Sequence, residues 1–269
     1  MPVFPPITAQ PYDTVYNVLN SARVRLNDRI VSQQTVGGKL LENNQAFTLQ
    51  LVNTAWRKLQ EFLANLGFAQ LRQEGIITGL PVVSSVDPAS QVRIDWFGYF
   101  DGQNLFPAPM LPPDLMVPLQ VWERQSGVNA AFVPMEPILD GMPTWNKQSR
   151  NGIWEWRADG LYMPGALIVT DLRIRYNRYL PDFSDTAAVQ WFQQSVPITR
   201  CLDALSYFIC AEVAEAREDL ADDGTFRQKG ESAARLLMNR DIAMKQRVNQ
   251  RRQSRSGRLE SNDGYGLCY

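Results

Sequence analysis

The side chains best suited to acid–base chemistry are acidic residues in the middle of the chain. Glu155 could work with Asp159 or Asp171, because two neighbouring carboxylates with different pKa values can act as general acid and general base. Solvated charges on strand faces are the default interpretation of these acids. The 269 residues include no histidine, which excludes Ser-His-Asp and Cys-His catalysis and imidazole-ligated zinc or haem. With no phosphate-binding glycine loop and no GxSxG or SxxK motif, we predict no catalytic residue, no metal and no cofactor.

Two other patterns resemble binding sites. Residues 219–224 begin like a calcium loop, but Ala221 stands at a ligand position and Gly230 where the bidentate Glu belongs. An acidic turn between two helices explains this stretch. The middle of the chain is also rich in tryptophan, which suggests either a sugar-binding platform or, as we expect, the packed core of a small sheet domain. These tryptophans are Trp96, Trp122, Trp145, Trp154 and Trp156.

Charge is balanced over the whole chain but uneven near its C-terminal end. Lys and Arg total 27 and Asp and Glu total 28, a formal net charge of −1, which excludes a globally basic nucleic-acid-binding protein. Residues 211–223 are strongly acidic, whereas residues 239–258 are strongly basic. The basic run leads into a tail without periodicity, so we predict a partner-docking segment, with DNA contact as the secondary interpretation. Its basic and anchoring residues are Arg240, Lys245, Arg247, Arg251, Arg252, Arg255, Arg258, Tyr265, Leu267 and Tyr269.

Cysteine use and hydropathy bear on the cellular compartment. Cys201 and Cys210 would lie on opposite sides of one helix, and Cys268 is next to last, so we expect reduced thiols rather than a disulfide framework. The first residues lack a signal-peptide pattern, and no apolar run is long enough to cross a bilayer. We therefore expect a soluble protein made in a reducing compartment.

Apolar periodicity predicts helices toward both ends of the chain. The second of them has an apolar stripe wide enough for a central helix of a bundle or for a subunit interface, and Gly67 is placed as its C′ residue. For the last helix, Thr225 and Gln228 form a capping box. The predicted helices span residues 13–30, 44–66, 195–217 and 225–250.

The intervening zone contains most of the 17 prolines and most of the seven tryptophans and has strand patterns. Residues 171–176 alternate, with Leu172, Ile174 and Tyr176 facing inward and two arginines outward. The pair Asp159-Gly160 between two short apolar runs predicts a hairpin with a type I′ turn. We expect further strands at 92–100 and 115–123, the second an edge or bulged strand because of Pro118, and an extended arm at 106–118.

These elements predict an α+β fold. A helical bundle is built from both chain ends, an antiparallel β domain is inserted between its second and third helices, and an extended C-terminal tail follows. The expected divisions are 1–75 and 195–250 for the two parts of the bundle, 76–194 for the β insert and 251–269 for the docking tail.

This arrangement resembles the head-to-tail connector (adaptor or neck) proteins of tailed bacteriophages. Residues 12–20 (Tyr-Asp-Thr-Val-Tyr-Asn-Val-Leu-Asn), 154–162 (Trp-Glu-Trp-Arg-Ala-Asp-Gly-Leu-Tyr) and 171–176 are similar to segments of phage neck proteins. The large, Trp-rich insert departs from the simplest adaptors.

The resemblance implies a homo-oligomeric ring of about twelve subunits between the portal and the tail. Its partners would be the portal protein, a tail or second neck protein, and genomic DNA passing non-specifically through the lumen, with no membrane. The chain would be made in the host cytoplasm and reside in the virion neck. Portal docking would fall to the tail, with Arg247, Arg251, Arg252, Arg255, Arg258, Tyr265, Leu267 and Tyr269 as candidates. The ring-interface candidates are Phe47, Trp56 and Phe62.

Two alternatives stand beside this interpretation. A tail-completion or tail-tube protein belongs to the same broad class but would be a predominantly β chain. A carboxylate-dependent glycan hydrolase or a glycan-binding module in the β domain belongs to another class. The hydrolase would require two nearby acids, and the binding module would require exposed tryptophans.

Overall fold

The computed structural model describes residues 13–26, 30–31, 34–35, 45–87, 89–139, 141–144, 146–186, 189–218, 222–240 and 242. Within these residues the fold is α+β, with four α-helices and two mainly antiparallel sheets beside one two-stranded pair. The chain divides into two compact units. Met1–Phe68 and Pro181–Tyr269 form one, called the helical unit, and Ala69–Leu180 form the other, called the β unit.

The helical unit is organised around its third helix. Its elements are α1 (Val15–Arg25), the antiparallel pair β1 (Ile30–Val31) and β2 (Gln34–Thr35), α2 (Gln45–Asn65), α3 (Leu202–Glu215) and α4 (residues 222–240). α3 packs against both α1 and α2, which explains why it is buried along most of its length. Among the described residues, no helix has the length and apolar character needed to cross a bilayer.

The end of α2 confirms the role predicted for Gly67. Its amide donates to the carbonyl of Ala64 at 2.9 Å, and the amide of Phe68 donates to Leu63 at 3.0 Å. These two bonds form a Schellman motif, which requires a left-handed residue at C′, and Gly67 has φ +76°. The buried side chains of Leu63 and Phe68 flank the motif.

The predicted starts of the last two helices and the predicted end of the first are wrong. α1 ends at Arg25 and α3 begins at Leu202. The segment before α3 is extended because Val196 donates to the carbonyl of Asp13 at 2.8 Å and Val15 donates to that of Gln194 at 3.0 Å. Its apolar side chains are therefore buried without being helical.

α4 is already helical at residue 222, so Thr225 lies inside the helix and is not the N-cap of a capping box. Gly230 is buried, and a Cβ at this position would lie 3.0 Å from the ring of Phe208. The glycine therefore allows α4 to approach α3 closely. Residues 243–269, including the whole predicted docking tail, lie outside the described residues.

Among its described residues, the β unit contains ten strands in two sheets. One has the order β3-β12-β7-β8, from strands Arg72–Leu80 (β3), Thr170–Arg178 (β12), Leu115–Gln125 (β7) and Val133–Pro134 (β8). The other has the order β6-β5-β4-β11-β10-β9, from Leu105–Phe106 (β6), Tyr99–Phe100 (β5), Val92–Ile94 (β4), Gly160–Met163 (β11), Ile153–Arg157 (β10) and Glu136–Pro137 (β9). The β9–β10 pairing is parallel, against the antiparallel prediction, and the other pairings of both sheets are antiparallel.

Both sheets contribute to one hydrophobic core, which follows from the alternation along their strands. In β12, Leu172, Ile174 and Tyr176 are buried in that core, so the predicted alternation is confirmed. Ile94 of β4 and Leu161 of β11 enter the same core from the six-stranded sheet.

The predicted hairpin between β10 and β11 is present, but its turn differs from the prediction. Arg157 pairs with Gly160, so Ala158 and Asp159 form the two-residue loop and the glycine belongs to the strand. Gly160 is needed for space rather than for positive φ, because a Cβ there would lie 2.6 Å from the carbonyl oxygen of Ile94 on the adjacent strand.

Two other strand predictions need correction. Residues 92–100 form two short strands around a tight turn, in which Oδ1 of Asp95 accepts bonds from the amides of Phe97 and Gly98 at 2.7 and 2.9 Å. The expected arm at 106–118 ends earlier, because β7 begins at Leu115. Pro118 pairs at a register shift of β12, as expected for a bulge.

The β unit begins and ends earlier in the chain than the predicted insert. The strand Arg72–Leu80 was missed because two glycines interrupt its pattern. Residues 181–194 belong to the helical unit, where Phe183 exchanges two hydrogen bonds with the side chain of Asn53 at 2.9 and 3.0 Å.

Candidate functional site

The three acids singled out in the sequence are divided between the two sheets. Glu155 lies in β10 and Asp159 in the following turn, whereas Asp171 lies in β12 of the other sheet. Glu155 pairs with Arg157 at 2.7 Å and Asp171 pairs with Arg124 at 3.0 Å, whereas Asp159 shares Arg93 with Asp95. These carboxylates are therefore engaged in ion pairs and hydrogen bonds.

Asp171 is the most deeply buried of these carboxylates. It is 2% exposed and accepts bonds from the Gly79 amide and from Nε of Arg124, both at 3.0 Å. Burial acts to raise its pKa, but the hydrogen bonds from Gly79 and Ser126 and the contact with Arg124 outweigh burial and lower the pKa. Asp171 thus joins three strands as a buried anion, paired with a guanidinium that also lies 4.6 Å from the ring of Phe132.

The six-stranded sheet carries a compact charged cluster. Strand pairing sets Glu155, Tyr162 and Arg93 side by side on β10, β11 and β4. Arg157 lies 4.0 Å from the Tyr162 ring, and the Tyr162 hydroxyl donates to Asp159 at 2.7 Å. The hydroxyl bond is the main cause that lowers the pKa of Asp159.

Arg93 in the same cluster contacts two carboxylates. It lies 3.0 Å from Asp95 and 3.3 Å from Asp159. Together with the Arg157–Glu155 pair, this gives two arginines and three carboxylates on the same sheet. The cluster, called the balanced cluster below, therefore has no excess of positive charge.

The four-stranded sheet has the opposite balance on its outer face. Arg173 and Arg175 alternate with the buried residues of β12, and both bind the carboxylate of Glu74 on β3, Arg175 at 3.1 Å. The hydrogen bond from Arg173 is the first cause that lowers the pKa of Glu74. Arg173 also lies 5.2 Å from the ring of Trp122 on β7, and Arg175 contacts Gln120 at 3.4 Å. We call this set the arginine face.

The sequence predicted the outward direction of Arg173 and Arg175 but missed Glu74. Their partner lies about a hundred residues away on a strand whose pattern was not recognised. The pairing of β3 with β12 was the necessary information, and no local signal supplied it.

Three of the four described tryptophans of the β unit pack in or against its core, as predicted, whereas Trp122 lies on the outer face of the four-stranded sheet. Trp154 is buried, and Trp96 and Trp156 are partly buried against the same core, with their rings edge to face at 5.9 Å. Trp122 is half-buried beside Arg173. Trp145 lies outside the described residues.

In the helical unit, acidic residues at the end of α3 and in the first described turn of α4 pair with cations of α2 and α4. Lys58 binds Glu212 at 2.7 Å and Glu215 at 3.3 Å, and Arg227 binds Glu215 at 3.1 Å and Asp223 at 3.3 Å. Burial acts to lower the pKa of Lys58, but the contacts with Glu212 and Glu215 outweigh burial and raise it. Residues 219–221 are not described, and no group of three or more metal-ligating side chains occurs among the described residues.

The ring-interface candidates differ in their access to the surface. Trp56, a ring-interface candidate, is fully buried and donates through Nε1 to the carbonyl of Pro181 at 3.2 Å, so its side chain packs inside the helical unit. Phe47 is 43% exposed. Phe62 is half-buried between the Phe208 ring at 6.3 Å and Arg235 at 5.8 Å.

The portal-docking candidates all fall outside the described residues. They are Arg247, Arg251, Arg252, Arg255, Arg258, Tyr265, Leu267 and Tyr269. Cys201 and Cys210 are buried and are not joined in a disulfide, and burial raises the pKa of Cys201 to about 12.

The described surface also includes two open grooves. One, of about 600 Å³, runs between β3 and residues 108–113, and the other, of about 450 Å³, lies between α3 and α4. The first is mostly apolar, and the second is lined by Asp203, Tyr207 and Lys229 among others. Neither groove contains the three acids singled out in the sequence.

Comparison with known proteins assigns no family. No protein-family model matches the chain, and no curated protein matches its sequence. The functional argument therefore depends on the residues and contacts described above.

Proposed function

We propose that this chain is a structural subunit of a tailed-bacteriophage neck, forming a ring that joins the portal vertex to the tail and surrounds the DNA channel. The helical unit would act as a bundle that forms the ring, and the C-terminal residues would act as an extended tail that docks on the portal. The proposal rests on the resemblance stated above and on the architecture of the chain.

The architecture is the main support. Both ends of the chain contribute helices to one compact unit, with α3 packed against α1 and α2, and the chain between them forms a separate β unit. This is the arrangement on which the resemblance to connector proteins rests. A tail-tube protein would be predominantly β, whereas four helices occur among the described residues.

The ion pairs of the β unit favour a structural role over hydrolysis. Of the acids that a carboxylate mechanism would use, Glu155 and Asp171 are bound by Arg157 and Arg124 and belong to different sheets. Asp159, the other candidate partner of Glu155, is bound by Arg93 and by the Tyr162 hydroxyl. A general acid needs a raised pKa, whereas the pKa of Asp171 is lowered. A glycan-binding platform would need exposed tryptophans, whereas Trp154 is buried.

The deciding experiment is the copy number and position of the chain in purified particles, by quantitative protein analysis and averaged electron images. A ring of about a dozen copies between capsid and tail is the expected result. Hundreds of copies would make the chain a tail or shell subunit, and absence from the particle would overturn the structural interpretation.

The docking role of the tail can be tested separately. Deletion of residues 251–269 should abolish joining to the portal while leaving the thermal unfolding of the remaining chain unchanged, because the docking role assigns these residues to contacts with the portal. Replacement of Arg251, Arg252, Arg255 and Arg258 by Ser should weaken joining, and added salt should weaken the wild type in the same direction. Normal joining by the deletion variant would contradict the docking role.

A further inference from the structure

We propose that the arginine face of the four-stranded sheet binds the phosphate backbone of duplex DNA. The face is formed by Arg173 and Arg175 of β12, with Glu74 of β3 and Trp122 of β7 beside them. This inference deepens the proposed function, on which it rests, because it assigns a DNA-contacting surface to a subunit that would surround DNA.

The direction of the two arginines is fixed by the core. Leu172, Ile174 and Tyr176 are almost completely buried, so the alternating residues between them project from the opposite side of the sheet. Two side chains separated by two positions on one strand are about 6.7 Å apart along it. Arg173 and Arg175 thus form a short row of guanidinium groups on an ordered scaffold.

The charge of this row is not neutralised within the described part of the chain. One carboxylate, that of Glu74, receives Nε and Nη2 of Arg173 and Nε of Arg175. A guanidinium has five N–H donors, so two arginines offer far more donors than one carboxylate accepts. Their side chains are 40% and 45% exposed, which leaves the remaining donors accessible to a ligand.

The neighbouring arginine on the same sheet shows what a neutralised site looks like. Arg124 is paired one to one with Asp171, whose side chain is 3% exposed. That pair is a structural contact within the sheet. Arg173 and Arg175, by contrast, share one carboxylate, so this row has more cations than carboxylates.

A phosphate backbone fits the row better than an acidic protein segment. Arginine forks bind phosphate oxygens in a bidentate manner, and identical anions at regular spacing are a property of nucleic acids. Trp122 helps to hold Arg173 in place through a cation–π contact at 5.2 Å. No base-reading element is involved, so the binding would be independent of sequence.

The test is the titration of a fluorescently labelled duplex of about 30 base pairs by fluorescence anisotropy at several salt concentrations. The protein would be the full-length chain with Arg251, Arg252, Arg255 and Arg258 replaced by Ser, so that the basic tail does not obscure the result. In this background, the R173S/R175S variant should bind at least about tenfold more weakly, with a salt slope reduced by about two.

The balanced cluster provides the matched control. The R93S/R157S variant removes the same charge from the same unit, but its two arginines face three carboxylates, so DNA affinity should change less than about twofold. Equal losses in both double variants would overturn the proposal, because the effect would then report only net charge.

Substitution of Glu74 should strengthen DNA binding, which is the opposite of the effect expected for R173S/R175S. Glu74→Gln removes the only carboxylate bound by both arginines, so DNA binding should become severalfold tighter, whereas a purely structural role predicts no change or weaker binding. If R173S/R175S fails to fold by circular dichroism, Glu74→Gln and R173K/R175K still decide the question. The R173K/R175K variant should retain most of the binding.

Displacement of the duplex by poly-glutamate at equal charge concentration would assign the face to an acidic protein and overturn the DNA proposal. These titrations use the isolated chain, so their failure is distinguishable from failure of the particle experiment.

Discussion

The two sheets of the β unit each place two arginines on an ordered surface, yet they surround them differently. In the balanced cluster, Arg93 and Arg157 face three carboxylates and a tyrosine hydroxyl. On the arginine face, Arg173 and Arg175 share one carboxylate. The same side chain therefore completes an internal network on one sheet and leaves unused donors on the other.

The two sheets draw their ion-pair partners from different distances along the sequence. Arg157 and Arg93 each bind a carboxylate two residues away, whereas the partner of Arg173 comes from β3 and the partner of Arg124 comes from β12. Charge balance is thus set partly by local sequence on the six-stranded sheet and by strand register on the four-stranded sheet. Substitutions that alter one partner at a time can test how far the two sheets differ.

The largest effect on stability is expected from Asp171→Asn. This change replaces a buried carboxylate by a neutral amide and leaves Arg124 without its anionic partner. Loss of one member of a buried ion pair destabilises by about 3 kcal/mol at neutral pH. The pKa of Asp171 is lowered by folding, so its stabilisation is present above the unfolded pKa of about 3.9 and is lost as pH falls through the folded value. The gap between wild type and variant in urea unfolding should therefore be largest at pH 7 and shrink below about pH 4.

Asp159→Asn is the control for this prediction, because the side chain of Asp159 is 54% exposed and belongs to the balanced cluster. Its cost should stay below about 1 kcal/mol at pH 7. Similar losses of stability for Asp171→Asn and Asp159→Asn would mean that the burial of Asp171 does not make its ion pair more important than that of Asp159.

A smaller but still clear effect is expected from Gly160→Ala in the six-stranded sheet. The added Cβ would lie 2.6 Å from the backbone oxygen of Ile94, so β4 and β11 must separate, at a cost of about 2 kcal/mol. In the four-stranded sheet, Gly75→Ala places its Cβ at an ordinary 3.5 Å from the ring of Tyr176 and should change stability by less than about 0.5 kcal/mol. Thermal unfolding of both variants measures the contrast, and equal shifts would contradict it.

Local patterns predicted the elements whose signals are complete within a few residues. The alternation in β12, the β10–β11 hairpin and the glycine that ends α2 are confirmed because side-chain period and turn chemistry decide them. The role of Gly160 was predicted wrongly, since the constraint on it comes from the carbonyl of Ile94 on another strand.

Features that depend on distant partners were not predictable in this way. β3 has glycines at two positions and few buried residues, so its pattern is weak although pairing with β12 fixes it. The ion pairs between Lys58 and Glu212 and between Arg173 and Glu74 join residues far apart in sequence. The start of α3 was misplaced because apolar residues before Leu202 are buried through hydrogen bonds to the segment around Asp13.

The smallest effect on stability is expected from Tyr162→Phe, which tests why the pKa values of Asp159 and Glu74 are lowered. The pKa of Asp159 is lowered mainly by the Tyr162 hydroxyl, whereas that of Glu74 is lowered mainly by Arg173. Tyr162→Phe should therefore raise the pKa of Asp159 toward its ordinary value and leave that of Glu74 unchanged, as measured by NMR titration of the carboxyl carbons. The cost in stability should be about 0.5 kcal/mol, because the hydroxyl bond is exposed.

Added salt should then separate the two sheets further. A guanidinium contact is weakened by screening more than a bond from a neutral hydroxyl, so the pKa of Glu74 should rise with ionic strength more than that of Asp159. If both values rise equally, the two carboxylates respond to one common field, and the distinction between a balanced cluster and an arginine face with excess charge fails. If only Glu74 responds, the excess charge is local to Arg173 and Arg175, and it is available to the phosphate backbone that the arginine face is proposed to bind.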